Sequence, residues 1–418
     1  TEEPPAVCWR ALSNVTMRTM DQTYFRRGFG LKKEIEPLLA AEYHSALVEE
    51  LRAEGHVRVF GDLTIRLADA FGFCYGVDRA VDYAYQTRKR FPDRRVFLTG
   101  EIIHNPHVND RLRSQDIRIL TDPGEDRRSL GPDDVVILPA FGVSVQELAE
   151  LDRQGCTLVD TTCGSVLNVW KNVRRYAQEG FTSVIHGKVH HEETRATASQ
   201  ATAYPNGHYL IVRDREEAAI ACDFIRSGGD PAAFVARFDD ALSARFDPRE
   251  HLQRIGCANQ TTMLMAESLE IGEMFRRAMA DRYGEADLAG RFRAFDTICS
   301  ATQEHQDAVA ALLESEPLDL AVVIGGYNSS NTCNLARMCA ERVPTYHIAD
   351  PECLVSPTEI RHRVIGAPST ADVPELVTAG WFPADGPVRV GLTAGASTPN
   401  NLVGEAIARI EQFAGAHR

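Results

Sequence analysis

Three cysteines of this chain each close a β-like run and open a helix-like run. The contexts are Arg66-Leu-Ala-Asp-Ala-Phe-Gly-Phe-Cys74, Thr157-Leu-Val-Asp-Thr-Thr-Cys163 and Phe292-Arg-Ala-Phe-Asp-Thr-Ile-Cys299, and the last two share Asp-Thr-X-Cys. In parallel α/β structure, ligands bind at the carboxyl ends of strands, where these thiols are expected. A helix N-terminus favours the thiolate there. The wide spacing argues against a zinc ribbon, whose ligands come in close pairs. It suits a group held at the junction of three folding units. Three soft ligands of this kind can hold an iron–sulfur cluster and leave one iron without a protein ligand. Read blandly, these are three unrelated buried thiols, but their matched positions weigh against that.

The rest of the chain repeats the same strand-then-helix texture. Apolar runs recur at Leu63–Leu67, Val96–Leu98, Val135–Leu138, Thr157–Val159, Ser183–Ile185, Tyr209–Val212, Leu320–Ile324 and Val388–Leu392, with helical patterns between most of them. Such alternation predicts an α/β fold with mostly parallel sheets. The cysteine-bearing units suggest three similar α/β lobes: residues 61–152, residues 153–291 with an exposed insert at 226–254, and residues 292–387. A final strand and helix in 388–418 are expected to return to the first lobe. Residues 1–60 read as an N-terminal extension carrying one amphipathic helix, Lys32–Glu54.

The chain's 418 residues are enough for two to four domains, and its 44% hydrophobic content is ordinary for a globular protein. A net charge of −14 argues against nucleic-acid binding. An anionic small ligand is still possible, because backbone N–H groups, hydroxyls and imidazoles act locally. No run is apolar enough to predict a membrane span, and the Thr-Glu-Glu-Pro-Pro start predicts no signal peptide. With ten cysteines in so long a chain, a reducing cytoplasm is the expected setting. Cys8 and Cys353 fall in loop-like sequence, and Cys156, Cys222, Cys257, Cys333 and Cys339 in packing positions.

Several polar runs follow the strands. Gly100-Glu-Ile-Ile-His104-Asn-Pro places an imidazole at a strand end, with Pro106 suited to a first helical turn. His186-Gly-Lys-Val-His190-His191-Glu192-Glu193 gathers three histidines and two carboxylates, a setting for metal binding or proton transfer, or simply a solvated helix start. Asn259-Gln-Thr261-Thr262, Tyr327-Asn-Ser329-Ser330-Asn331-Thr332 and Thr393-Ala-Gly-Ala-Ser397-Thr-Pro present hydroxyls and amides that suit phosphate or ordinary N-capping.

Together these motifs resemble the IspH/LytB family of 4-hydroxy-3-methylbut-2-enyl diphosphate reductases, from about Leu63 to the C-terminus. The residues that carry the resemblance are Gly72-Phe-Cys-Tyr-Gly-Val77, Gly100-Glu-Ile-Ile-His-Asn-Pro106, Val159-Asp-Thr-Thr-Cys163, Asn259-Gln-Thr-Thr262, Asn328-Ser-Ser-Asn331 and Thr393-Ala-Gly-Ala-Ser397. The N-terminal extension, Pro139-Ala-Phe-Gly142 and the 226–254 insert are more similar to the longer plant and cyanobacterial branch.

The resemblance implies three lobes in a cloverleaf around a central [4Fe–4S] cluster with Cys74, Cys163 and Cys299 as ligands. It implies Glu193 as the proton donor and Thr261 as its partner. His104 and His191 would face the diphosphate or the allylic chain, and Ser329, Ser330, Asn331 and Ser397 would bind the diphosphate. It also implies a ferredoxin or flavodoxin as electron donor. Short bacterial relatives carry a second diphosphate-binding histidine at the position of Phe141, and His190 is a candidate to compensate. The residues alone leave open a zinc hydrolase and a non-catalytic iron–sulfur sensor.

Overall fold

The computed structural model describes residues 23–295, 297–368, 370, 373–384 and 386–416. Cys8, the first 22 residues of the extension and Asp296 of the third cysteine motif lie outside the described residues.

Short apolar runs buried on both faces pair in parallel and sort into three sheets. The first has five strands, all parallel, in the order Tyr24–Phe25, Thr157–Asp160, Val135–Leu138, Val96–Leu98, Ile117–Ile119. The second has four, also parallel: Phe292–Ala294, Ile255–Asn259, Thr182–His186, Tyr209–Val212. The third is eight-stranded and mixed. Its parallel centre runs Thr345–Ile348, Leu320–Ile324, Val388–Ala394, Leu63–Leu67, and antiparallel strands flank it. The three-lobed α/β architecture expected from the alternation is present.

The strands do not sort into lobes by the expected boundaries. The expected return of the 388–418 strand to Leu63–Leu67 is present, Ile65 opposite Val390, but both strands lie in the third sheet rather than with the 96–138 strands. Thr157–Asp160 was placed at the start of the second lobe, yet it pairs with Val135–Leu138. Phe292–Ala294 was placed at the start of the third, yet it pairs with Ile255–Asn259. The reason is the crossover. A strand, a short connection and a helix return the next strand to the same sheet. The helix Val145–Gln154 makes that return for Thr157–Asp160, so the second and third cysteines belong to the lobes that precede them.

Two further expectations are corrected. The single helix over Lys32–Glu54 is two helices, Lys32–Tyr43 and Ala46–Ala53. Ser45 between them is extended, and its hydroxyl accepts the Val48 N–H, a cap that starts the second helix. Val48 and Leu51 are fully buried against the third sheet, so this part of the extension is integral to the core. The 226–254 insert is not an exposed excursion either. It folds into the helices Pro231–Arg237 and Pro248–His251, and Phe234, Phe238 and Phe246 join the core of the second lobe.

Candidate active site at the junction of three lobes

The carboxyl ends of the parallel strands carry the site. Cys74, Cys163 and Cys299 are the N-cap residues of the helices Tyr75–Arg90, Gly164–Gln178 and Ser300–Ser315, each with extended backbone. One comes from each sheet, and the same tie holds all three. The Cys74 N–H donates to Ala396 O (3.2 Å), Cys163 N–H to Ala140 O (2.8 Å) and Cys299 N–H to Thr261 O (3.4 Å). In every case the acceptor lies just past the neighbouring parallel strand. Cys299 Sγ lies 2.9 Å from Thr302 Oγ1 and accepts the Thr302 N–H. Burial raises the Cys74 thiol to about 11, a rise eased by the Val77 N–H and reinforced by the neighbouring Cys299 and Cys163. Burial likewise raises Cys299.

The residues fit an iron–sulfur group. A Cβ on Gly76 would fall 2.6 Å from Cys163 Sγ and 3.9 Å from Cys74 Sγ, so only glycine lets these two thiols face a common space. Among the described residues, the one group of three or more His, Cys, Asp or Glu whose ligand atoms all lie within 4.8 Å of one another is His104, His191 and Glu192. The three thiols do not meet that limit, so at least one pair of them stands wider. Two thiolates on one tetrahedral zinc would be about 3.8 Å apart, so the trio suits a polynuclear core better than a single ion.

Glu193 is 2% exposed and sits in the first turn of the helix Glu192–Thr202. Its Oε1 accepts the Thr261 N–H (2.6 Å) and its Oε2 the Thr261 hydroxyl (3.0 Å). Burial raises its pKa to about 7 against the opposing pull of the Thr261 donors and His104. Because the next carbonyl contact of Thr261 is the Cys299 N–H, the carboxyl is tied directly to the thiol region.

His191 caps the same helix, its Nδ1 accepting the Glu193 N–H (3.2 Å). Burial, with His104 and Lys188 adding to it, holds its pKa well below the ordinary value. The ring is therefore neutral, and since Nδ1 accepts, its proton is on Nε2, a donor. His104 follows the strand Val96–Leu98, before the helix that Pro106 begins. It lies 5.0 Å from the His191 ring and stacks on Phe141 at 4.8 Å. Its Nδ1 meets Glu101 Oε2 at 3.0 Å, and its Nε2 lies 3.5 Å from Glu192 Oε2. Phe141 thus braces both imidazoles but offers no donor.

The hydroxyl loops close the other side. Ser329 caps the helix Ser330–Ala340. Ser397 Oγ lies 3.2 Å from His104 O and 3.5 Å from Ser329 Oγ. Asn331 Oδ1 accepts the Ala396 N–H, and its buried Nδ2 has no acceptor. Hydrogen bonds and ring contacts thus join Glu193, Thr261 and Cys299 to His191 and His104, and Cys74 to Asn331 through Ala396, while Cys163 is tied to Ala140. A cavity of about 1620 Å³ opens here, with His104, Phe141, Lys188, His191, Glu192 and Asn328 in its walls.

Three members escaped the sequence reading. Gln260 bonds Thr194, Thr262, Ser330 and the Lys188 N–H; Asn328 donates to Glu101; and Lys188 donates to Ser330. The signal for Lys188 was its place in the His186–Glu193 run. His186 instead bonds Ser268 and is a strand-end residue with its pKa lowered by burial to about 4, while His190 is exposed on the cavity wall.

A family profile described as LytB protein matches residues 65–411. The chain belongs to the LytB family. Among LytB relatives, the 4-hydroxy-3-methylbut-2-enyl diphosphate reductase of Gloeobacter violaceus is 51% identical over 401 residues, 94% of this chain and 93% of the relative. That of Thermosynechococcus vestitus is 48% identical over 93% of this chain and 94% of the relative. The solved structure of the E-1-hydroxy-2-methyl-but-2-enyl-4-diphosphate reductase from Plasmodium falciparum shares the fold, with a TM-score of 0.58 at 20% identity, over 82% of this chain and 86% of that one. Among the described residues no helix is long and apolar enough to cross a membrane.

Proposed function

We propose that the protein is a 4-hydroxy-3-methylbut-2-enyl diphosphate reductase, an iron–sulfur oxidoreductase of isoprenoid biosynthesis acting at the end of the methylerythritol phosphate route. The observation that carries the reading is the Glu193–Thr261 pair, a buried acid poised near neutrality and tied to Cys299. A structural or sensing role for the thiols would not need it.

The reaction breaks the allylic C–O bond of the substrate alcohol. Two electrons and two protons enter: one proton leaves with the oxygen as water, and the other ends on the allyl carbon chain, giving isopentenyl and dimethylallyl diphosphates. A [4Fe–4S] cluster held by Cys74, Cys163 and Cys299 would supply the electrons and a Lewis-acidic iron open to the alcohol. The rest falls to the protein. Ser329, Ser330, Asn331 and Ser397 bind the diphosphate, with the orphaned Asn331 Nδ2 ready to donate. His191 Nε2–H and His104 face the same charge or the allylic chain. Glu193, half protonated near pH 7, gives its proton to the departing oxygen, because hydroxide itself is a poor leaving group. Thr261 holds the carboxyl and lends its hydroxyl to the alcohol or a water. A ferredoxin or flavodoxin is the reductant this reading expects.

Anaerobic iron and sulfide analysis with turnover driven by a reduced viologen tests the reading. It expects a brown protein with about four irons per chain that consumes the alcohol diphosphate. A colourless protein holding stoichiometric zinc, or a cluster-loaded protein without turnover, would sink it.

A further inference from the structure

Lys188 follows the strand Thr182–His186 of the second sheet and reaches across to the third lobe, where its Nζ lies 2.8 Å from Ser330 Oγ. Gln260 Nε2 approaches the same oxygen at 3.2 Å. The orientation of that amide is not arbitrary. Gln260 Oε1 takes the Lys188 backbone N–H and the Thr194 hydroxyl, so the donor end must face Ser330. The Ser330 oxygen therefore accepts twice, which uses both lone pairs. Its own proton must be donated elsewhere. Ser330 is the first residue of the helix Ser330–Ala340, so that proton, the ammonium and the helix N-terminus are gathered at one point.

Two further cations, Arg337 and Arg363, act on Lys188. Lys188, Arg337 and Arg363 all line the large cavity. Arg363 is 1% exposed. Its guanidinium is held by the carbonyls of Val364, Ala367 and Pro368, and its buried Nε has no partner. The chain has only five lysines against forty arginines, and here it places the compact ammonium that fits beside a serine hydroxyl. In the same lining Phe141 stacks on His104 and brings no donor.

We propose that Lys188 is a substrate-binding residue: its ammonium, with the Ser330 hydroxyl it orients, holds an oxygen of the substrate's diphosphate and supplies the charge that the wall at Phe141 lacks. This rests on the functional reading above and replaces His190 as the compensating group. Anion binding in this chain is then a lysine–serine device spanning two lobes.

The test is calorimetric titration of the cluster-loaded full chain with inorganic diphosphate, alongside steady-state kinetics. Lys188→Met is expected to weaken inorganic diphosphate by roughly tenfold to a hundredfold, the loss of one charge-assisted hydrogen bond. KM should rise in parallel, with kcat and the visible cluster absorbance little changed. Lys188→Arg, which keeps the charge, is expected to retain most of the affinity. It also decides the matter should the Met variant fail to hold its cluster. Unchanged affinity in Lys188→Met, or a loss in Lys188→Arg as large as the Met variant shows, overturns the assignment. A parent protein that binds inorganic diphosphate and turns over normally in either case leaves the functional reading standing; a parent that does neither overturns that reading as well.

Discussion

Each sheet sends one cysteine to the centre, always as the N-cap of the next helix and always tied by its N–H to the loop beside it. The proposed anion end obeys no such repeat. Imidazoles come from the first and second lobes, hydroxyls from the third, and a lysine bridges the second to the third. The thiol end has one local solution used three times, and its geometry depends on backbone that each lobe positions alone. The anion end exists only when the lobes meet, because Ser330, Gln260 and Lys188 orient one another across their boundary. A fault at the first end should therefore remove the chemistry outright, and a fault at the second should mainly change binding.

Cysteine changes should break this contrast most severely. Ser at Cys74, Cys163 or Cys299 is expected to lose much of the iron and nearly all turnover, read by iron analysis and assay; retention of both in any one variant would remove that cysteine from the ligand set. Glu193→Gln should come next, lowering kcat by roughly 10² to 10⁴ while the cluster spectrum is kept. In the parent, the acid must be protonated to act, so kcat should fall as pH rises through about 7, and the Gln variant should lose that limb. Thr261→Val removes a donor that favours the carboxylate. The Glu193 pKa should then rise further, and the alkaline limb should move to higher pH; a shift in the other direction would contradict the hydrogen-bond assignment.

Two smaller effects separate the ends. Gly76→Ala would push a methyl toward Cys163 Sγ, so it should cost about 1–3 kcal/mol and speed cluster loss, measured by melting and by bleaching in air. At the proposed anion end, Glu192 Oε2 lies 3.5 Å from His104 Nε2 and Glu192 lines the cavity. Glu192→Gln should strengthen diphosphate binding by about twofold to fivefold with kcat unchanged, a consequence of removing one exposed like charge. Weaker binding in that variant would show that Glu192 orients His104 rather than competing.

The sequence carried what depends on neighbours along the chain. Short apolar runs, N-cap residues and the Pro106 helix start are local preferences, and Val96–Leu98, Val135–Leu138 and Leu320–Ile324 appear as strands where the pattern put them. Cys74, Cys163 and Cys299 were legible for the same reason, since the strand end and the helix cap are written within a few residues of each thiol. Tertiary structure decided which strands pair. Parallel partners such as Leu320–Ile324 and Val388–Ala394 are distant in sequence, and nothing local distinguishes one buried apolar run from another. It also decided the protonation and direction of the polar groups. Glu193 becomes an acid near neutrality only through enclosure, and the Ser330 hydroxyl acquires a direction only when Lys188 and Gln260 occupy its lone pairs from another lobe.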